Sequence, residues 1–246
     1  MLSTKTHIRF AVLLGFVVFS AGCDKKLSSD KPDFSNNLIS HFPFSGNGVE
    51  AVSGKAYELK GITFLSDRKG KEASSAFFNG FSSWMDVKIP MQAQEGTLSF
   101  WIFPCLCKEY NPLFVKKAVE NDPFFGEYYV GYSEAGKIEA VCQGKWNVET
   151  DVVIEANKWY HITVRWNDAS GLIDIFVNGK KKLSKNYTVD PSKLPAEPTP
   201  TFLGKILNKS DEGGPIQTVY YKGKLDDVRL YNIALPYEEI EALYKE

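Results

Sequence analysis

Hydrophobic and polar residues alternate with period two through most of the chain, the pattern of half-buried β-strands. The clearest run is Tyr160, Ile162, Val164 and Trp166, interleaved with His161, Thr163 and Arg165. After the turn cluster Asn167–Gly171, the residues Ile173, Ile175 and Val177 alternate with Asp174 and Phe176 and end at Asn178-Gly179. Asn-Gly accepts the positive φ that a two-residue hairpin demands. Tyr128–Tyr132 and Lys137–Cys142 flank Ser133–Gly136 and predict another hairpin. Thr97–Phe103 predicts a strand that Pro104 stops.

Two stretches lack this alternation. Pro191–Pro200 holds four prolines and cannot join a central ladder, because proline has no N–H to donate. Lys205–Pro215 is polar and Gly-containing and predicts a long loop. Helical spacing appears only at the end, where Pro236 precedes Tyr237–Tyr244 and places Tyr237, Ile240 and Tyr244 on one face. Many short strands and one terminal helix predict an all-β fold, a two-sheet antiparallel sandwich with a short C-terminal helix.

Composition narrows the function. Lys and Arg total 29 against 30 Asp and Glu, a formal charge of −1. A nucleic-acid binder needs clustered basic surface to neutralise phosphates, and the longest basic run here is Lys180–Lys182. Three histidines argue against a His-rich metal enzyme. The N-terminal region is an address: Lys5 and Arg9 precede the uncharged, mostly apolar stretch Phe10–Gly22. A membrane-crossing helix needs about 20 apolar residues, so this run has the size of a signal-peptide core instead. Asp24–Asn37 is polar and non-periodic, and reads either as a tether that spaces the following domain roughly 20 Å away at about 5–6 Å × √n or as a disordered N-terminus with no spacing role. The chain therefore divides into a signal peptide (1–22), a tether (23–38) and one domain (39–246).

Two resemblances sharpen this division. Ser20, Ala21 and Gly22 directly before Cys23 resemble the lipobox of bacterial lipoproteins. That likeness implies acylation of Cys23 and anchoring to a membrane of the bacterial cell envelope, with inner and outer membrane both open. Asn157–Val164, Asp174–Gly179 and Gly223–Asn232, followed by Ala234-Leu235 and Glu239-Ile240, resemble the laminin-G-like (concanavalin A-like) jelly-roll family. His41–Asn47, Phe77–Gly80, Trp84–Val87 and Gly96–Ile102 fit the same family in the same order. The resemblance implies a jelly roll over residues 41 to 244 and says less about activity, since function resides in sites grafted onto such folds.

Some jelly-roll relatives are retaining β-glucanases with carboxylates at E-x-D-x-E or E-x-D-x-x-E spacing. The nearest series here is Glu149, Asp151 and Glu155. On a regular strand Glu149 and Glu155 lie roughly 20 Å apart, whereas a retaining pair needs about 5–5.5 Å and an inverting pair about 6.5–9.5 Å. There is no G-x-S-x-G nucleophile elbow, and His161 fits the family's Trp-Tyr-His pattern as a structural or surface residue. Binding is the remaining class. Trp84, Trp101, Trp159 and Trp166 fall in strands and are expected to pack. Trp146 lies among Gln143, Gly144, Lys145 and Asn147, a polar turn that makes it the candidate ligand-binding aromatic, with packing under a loop as the alternative.

Alternation also bears on Asp226, which shares a face with Val228 and Leu230. A carboxylate aimed at a buried side needs a cation or several donors. The family resemblance implies a structural calcium, its ligands Asp226, Glu50 in the N-terminal loop, and Asn47 nearby; the alternative is a set of backbone N–H donors to Asp226. Cys105 and Cys107 project to one side of an extended segment, so at most one of them bridges Cys142. A Cys107–Cys142 disulfide, buried thiols, and a zinc site with His161 are the readings, and C-x-C is tighter than ordinary zinc spacing. The expected function is a lipid-anchored, non-catalytic envelope module that binds glycan or a surface protein, with no nucleic-acid partner. A scaffold subunit of a surface assembly and a diverged glycoside hydrolase are its rivals.

Overall fold

The alternating runs form strands that close into two facing sheets. The computed structural model describes residues 33–87, 89, 94–105, 110–116, 128–193, 200–209 and 216–246. Its first strands are Leu38–Phe42 (β1), Leu59–Lys60 (β2), Thr63–Leu65 (β3), Ser75–Asn79 (β4), Trp84–Asp86 (β5), Glu95–Pro104 (β6) and Tyr110–Lys116 (β7). Tyr128–Ser133 (β8), Lys137–Cys142 (β9), Trp146–Val153 (β10), Tyr160–Asn167 (β11), Leu172–Val177 (β12) and Lys180–Asn186 (β13) follow. The chain then runs through Thr201–Leu203 (β14), Lys205–Lys209 (β15), Ile216–Tyr220 (β16), Lys222–Tyr231 (β17) and the helix Tyr237–Lys245 (α1).

The first sheet has the order β13-β12-β11-β6-β17-β4-β3, and β1 also pairs with β17. The second has the order β10-β9-β8-β7-β14-β5-β2. Phe42, Phe78, Leu98, Phe100, Phe114, Val130, Trp166 and Ile175 are among the buried side chains that fill the space between them. The expected jelly-roll sandwich is what forms. Asn178 and Gly179 adopt φ of +52° and +70°, the two positive values that turn β12 tightly into β13.

The outer face of the first sheet is not left to solvent. Ile240 and Leu243 of α1 bury against Phe176, Tyr231 and Leu235. Tyr244 stacks on Trp101, with ring centroids 5.6 Å apart. Tyr237, expected on the same face, is 42% exposed, because the buried stripe runs through Ile240 and Leu243 instead. Phe34 and Leu38 pack against this cluster, so the compact body begins at Phe34, inside the segment read as tether.

One expectation fails in the fold itself. Residues 205–209, read as part of a loop, instead form β15, which pairs antiparallel with residues 216–220 of β16. Ile206 and Val219 of this ribbon pack on Val115, Tyr129 and Val141, on the outer face of the second sheet. Along the chain, Ile206 and Leu207 sit side by side between polar residues rather than alternating with them, so no period-two pattern marks this stretch as strand. Of the proline-rich segment, Pro191–Lys193 form a 3-10 turn, and residues 194–199 lie outside the described residues.

Candidate functional site

β17 is the strand on which the site is built. One of its edges pairs with β4 from Lys222 to Leu225 and then with β1 from Val228 to Tyr231. Its other edge pairs with β6 throughout, with a bulge between Asp226 and Arg229. Asp227 adopts a φ of +47° there. The extra residue resets the alternation: Asp226 lies opposite Trp101 and Arg229 opposite Ser99, both on the outer face. Asp226 therefore does not share the core side of Val228 and Leu230, as strict alternation had placed it.

Between the end of β4 and the end of β1 this edge of β17 has no strand partner, and Arg68 from the β3–β4 loop occupies the gap. Its guanidinium donates to Asp226 Oδ2 at 2.7 Å and to Asp227 Oδ2 at 2.9 Å. Its carbon lies 4.6 Å from the Trp101 ring centre. His41 Nε2 is 3.0 Å from Asp227 Oδ1, and Arg229 reaches Asp227 at 3.4 Å and Glu246 at 2.6 Å. Two carboxylates sharing one guanidinium cannot be equally stabilised, and their titrations separate. Burial, then the charge of Asp227, pushes Asp226 up to about 7 despite Arg68. Burial acts on Asp227 too, but the His41 hydrogen bond and the charges of Arg229 and Arg68 hold it well below the carboxylate range.

Beside this cluster opens a cleft of about 230 Å³, lined by Pro43, Ser45, Asp67, Arg68, Lys69, Lys71, Ser74, Asp226 and Asp227. Asp67 Oδ1 fixes its rim by accepting the backbone N–H groups of Lys69 and Lys71, both at 2.8 Å. That turn points Arg68 inward and leaves Lys69 and Lys71 exposed. Arg68 was missed in the sequence: in the run Asp67-Arg-Lys-Gly-Lys71 nothing separates the inward arginine from its solvated neighbours.

The residues expected to ligate calcium are not gathered into a ligand set. Asp226 meets Arg68. Glu50 is buried and accepts the N–H groups of His41 (2.8 Å), Val52 (2.8 Å) and Ser53 (2.7 Å), together with the Ser53 hydroxyl. Burial alone would raise its pKa, but the donors from Ser53, His41 and Val52 hold it below the ordinary value. Asn47 is exposed and accepts the Val49 N–H at 3.0 Å. Among the described residues, no three His, Cys, Asp or Glu side chains are grouped to hold a metal. The counter-charge that Asp226 requires comes from a guanidinium, so these residues do not fit the calcium expectation.

Trp146 is likewise relocated. It opens β10 rather than sitting in the preceding turn, opposite Cys142 of β9, and is 5% exposed. Its ring lies 4.9 Å from Tyr187, 5.9 Å from Trp166 and 6.0 Å from Tyr128. With Val148 it faces the core, while Asn147 and Glu149 take the polar positions between and beyond them. Trp146→Ala is accordingly expected to cost about 3–5 kcal/mol through the cavity it leaves. Denaturant melts will register this as a fall in stability, whatever its effect on ligand.

His161 is buried and lies 2.8 Å from Ser99 Oγ. Burial, then the charges of Arg68 and Arg229, lowers it to about 3, so the ring is neutral and structural. Glu149 pairs with Lys137 and Glu155 with Lys158. Cys23 and Cys107 lie outside the described residues, and with Cys107 goes the proposed Cys107–Cys142 bridge. Cys142 packs beside the core from β9, and burial raises the Cys105 thiol.

A second group escaped the sequence reading. Glu139 lies opposite Glu149 of β10 and Gly131 of β8. Its Oε2 is buried with no hydrogen-bond donor. Burial, then the charge of Glu149, raises it to about 7. Alternation could place Glu139 on the outer face but could not say which carboxylate stands across from it.

The profile of the concanavalin A-like lectin/glucanases superfamily (laminin-G type) matches residues 79–241. No curated protein sequence matches the chain. Among solved structures, the fold is similar to domain 4 of AbnA, a GH43 extracellular arabinanase from Geobacillus stearothermophilus in complex with arabinotriose. The TM-score is 0.61 at 18% identity, covering 85% of this chain and 98% of that one. It is also similar to botulinum neurotoxin type C, from a structure concerned with its interaction with two ganglioside molecules in cell entry (TM-score 0.60, 15% identity, 86% and 51% covered). The binding domain of Paraclostridial Mosquitocidal Protein 1 gives a TM-score of 0.61 at 18% identity, with 86% and 52% covered. The chain thus spans about half the length of those two toxin chains.

Proposed function

Since this chain belongs to the concanavalin A-like lectin/glucanase superfamily, we propose that it is a non-catalytic glycan-binding module whose ligand lies in the cleft beside Arg68. The observation that carries this reading is the lining of that cleft: of nine residues only Pro43 is apolar. A saccharide presents hydroxyls that both donate and accept. The cleft answers with the amines of Lys69 and Lys71, the hydroxyls of Ser45 and Ser74, and the carboxylates of Asp67, Asp226 and Asp227. The structural neighbours named with arabinotriose and gangliosides support the same ligand class. A non-catalytic role is supported by the state of the cleft carboxylates. Asp226 and Asp227 are clamped by one guanidinium, and Asp67 accepts the backbone of its own turn. Asp226 keeps its proton up to about 7, but its Oδ2 is engaged by Arg68. The ionised Asp227 beside it is bonded to His41, so the two are tied up within the fold and do not form a free acid–base pair facing a glycosidic oxygen.

The module is held to a bacterial envelope membrane by lipid on Cys23, a reading supported by the lipobox-like Ser20–Cys23 sequence. Cys23→Ser is the variant that separates an acylated protein from a secreted one, by detergent partition. For the cleft, the test is a glycan array followed by calorimetric titration of the full chain with arabinotriose and with each glycan retained on the array. Lys69→Ala with Lys71→Ala removes two exposed amines without touching the Arg68 cluster, and is expected to weaken binding about tenfold, the loss of one to two charge-assisted hydrogen bonds. A wild-type protein that retains no glycan, or that releases reducing ends from one, overturns the proposal.

A further inference from the structure

The structure carries an aromatic side chain that its own fold does not use. Phe81, in the turn between β4 and β5, is 73% exposed. The turn that presents it is tightly bonded. Asn79 Oδ1 accepts the N–H groups of Phe81 (3.0 Å), Ser82 (2.9 Å) and Ser83 (3.2 Å), and Asn79 Nδ2 donates to Ser82 Oγ at 3.0 Å. Ser83 Oγ donates to the Gly61 carbonyl at 2.6 Å. Gly80 has a φ of +87°, and a Cβ there would stand 2.8 Å from the Lys222 stem. Such a turn holds the backbone of Phe81 in place before any partner arrives, which lowers the ordering cost of binding.

The strand that leaves the turn adds polar and aromatic groups. Trp84 and Asp86 lie on the outer face of β5, on either side of the core residue Met85. Trp84 is half-buried against Phe202, with ring centroids 5.6 Å apart, and the Lys205 ammonium lies 3.4 Å from its ring centre. Asp86 Oδ1 is buried and has no donor, an acceptor that remains unmatched inside the protein. The flanking positions are polar: Ser82 is exposed and Lys60 half-buried, and Lys60 pairs with Glu58.

We infer that the β4–β5 turn is a second saccharide contact, with the Phe81 ring as the platform for the apolar face of one sugar and Ser82 and Lys60 beside it supplying neighbouring polar groups. This inference rests on the glycan-binding reading above. It is distinct in place from the cleft: the cleft loop precedes β4 and Phe81 follows it, and five residues of strand separate their ends by about 17 Å. A membrane-inserting tip requires a broader apolar face than one ring, and the hydroxyl, amide and ammonium groups around Phe81 are suited to a polyol.

Phe81→Ala, Phe81→Trp and the Lys69/Lys71 double alanine variant, each in the full chain, are titrated with arabinotriose and with every glycan the wild type retains on an array. Phe81→Ala is expected to weaken binding at least tenfold with an unchanged melting temperature, and Phe81→Trp to preserve it. Wild-type affinity in Phe81→Ala overturns the inference. If the double alanine variant is then weakened, the cleft reading stands alone. Wild-type protein that binds no glycan overturns both. Binding to phosphatidylglycerol vesicles that depends on Phe81, in the absence of glycan binding, also overturns the saccharide assignment.

Discussion

Arg68→Met is expected to destabilise the domain by about 3–5 kcal/mol, the range for removing one partner of a buried ion pair. The reason is asymmetry. Methionine keeps much of the stem that lies over Trp101 but withdraws the charge from two carboxylates at once, Asp226 and Asp227. The side chain of Asp226 is 4% exposed, so water cannot replace what is lost. Arg68→Lys is expected to recover only part of the loss, because an ammonium cannot match both carboxylates as a planar fork does. The deficit of Arg68→Met should be larger at pH 8 than at pH 5, where Asp226 holds its proton and the charge left without a cationic partner disappears, Asp227 retaining His41 and Arg229. Urea unfolding of the three proteins at both pH values measures this. A loss below 1 kcal/mol at pH 8 would show that the cluster is solvated.

Glu139→Gln is expected to act in the opposite direction and to stabilise the protein at neutral and alkaline pH. Glu139 has a pKa of about 7 in the fold against 4.5 ordinarily. The native state therefore keeps a proton that the unfolded chain releases, and stability falls as pH rises from about 4.5 to about 7. Above pH 7 the folded protein carries an ionised carboxylate whose Oε2 has no donor, across from Glu149. Two and a half units correspond to about 3 kcal/mol at most, and partial exposure reduces this to about 1–3 kcal/mol. Glutamine has no charge to desolvate, so the gain should be absent near pH 4 and complete near pH 8. His161 has the opposite dependence. Its pKa of about 3 against 6.5 ordinarily adds stability above pH 6.5 that is lost as pH falls toward 3, in wild type and variant alike. The difference between the two melting curves against pH isolates Glu139. A constant offset would mean the carboxylate is not the cause.

These two groups also mark the limit of what alternation could reveal. Where strands run without interruption, the pattern identified both element and face. Ile162, Val164 and Trp166 point into the core, and Asn178-Gly179 turns the hairpin as its composition requires. Period two carries no notice of an inserted residue, so the bulge at Asp227 moved Asp226 to the other side of its sheet. Arg68 is one cation in a polar loop, and only the unpaired edge of β17 gives it a task. Trp146 was misplaced for a related reason: polar neighbours suggested a turn, yet one position further along the chain is already strand, and its ring is core. In β15, Ile206 and Leu207 sit side by side, so no period-two pattern marks it as strand.

The position of β17 in its sheet has a consequence for the order in which the domain can form. Residues 222–231 lie between β6 on one side and β4 with β1 on the other. Asn37 bonds Asn232 across 195 positions of chain. A growing polypeptide therefore exposes β1, β4 and β6 before the strand that joins them exists, and such non-local pairing is slow to close. During synthesis the first sheet stays in three parts, β6 with β11–β13, β4 with β3, and β1, held open until nearly the whole chain is available. A chain that ends before Lys222 is expected to remain unfolded and open to protease, because three strands then lack the neighbour they share.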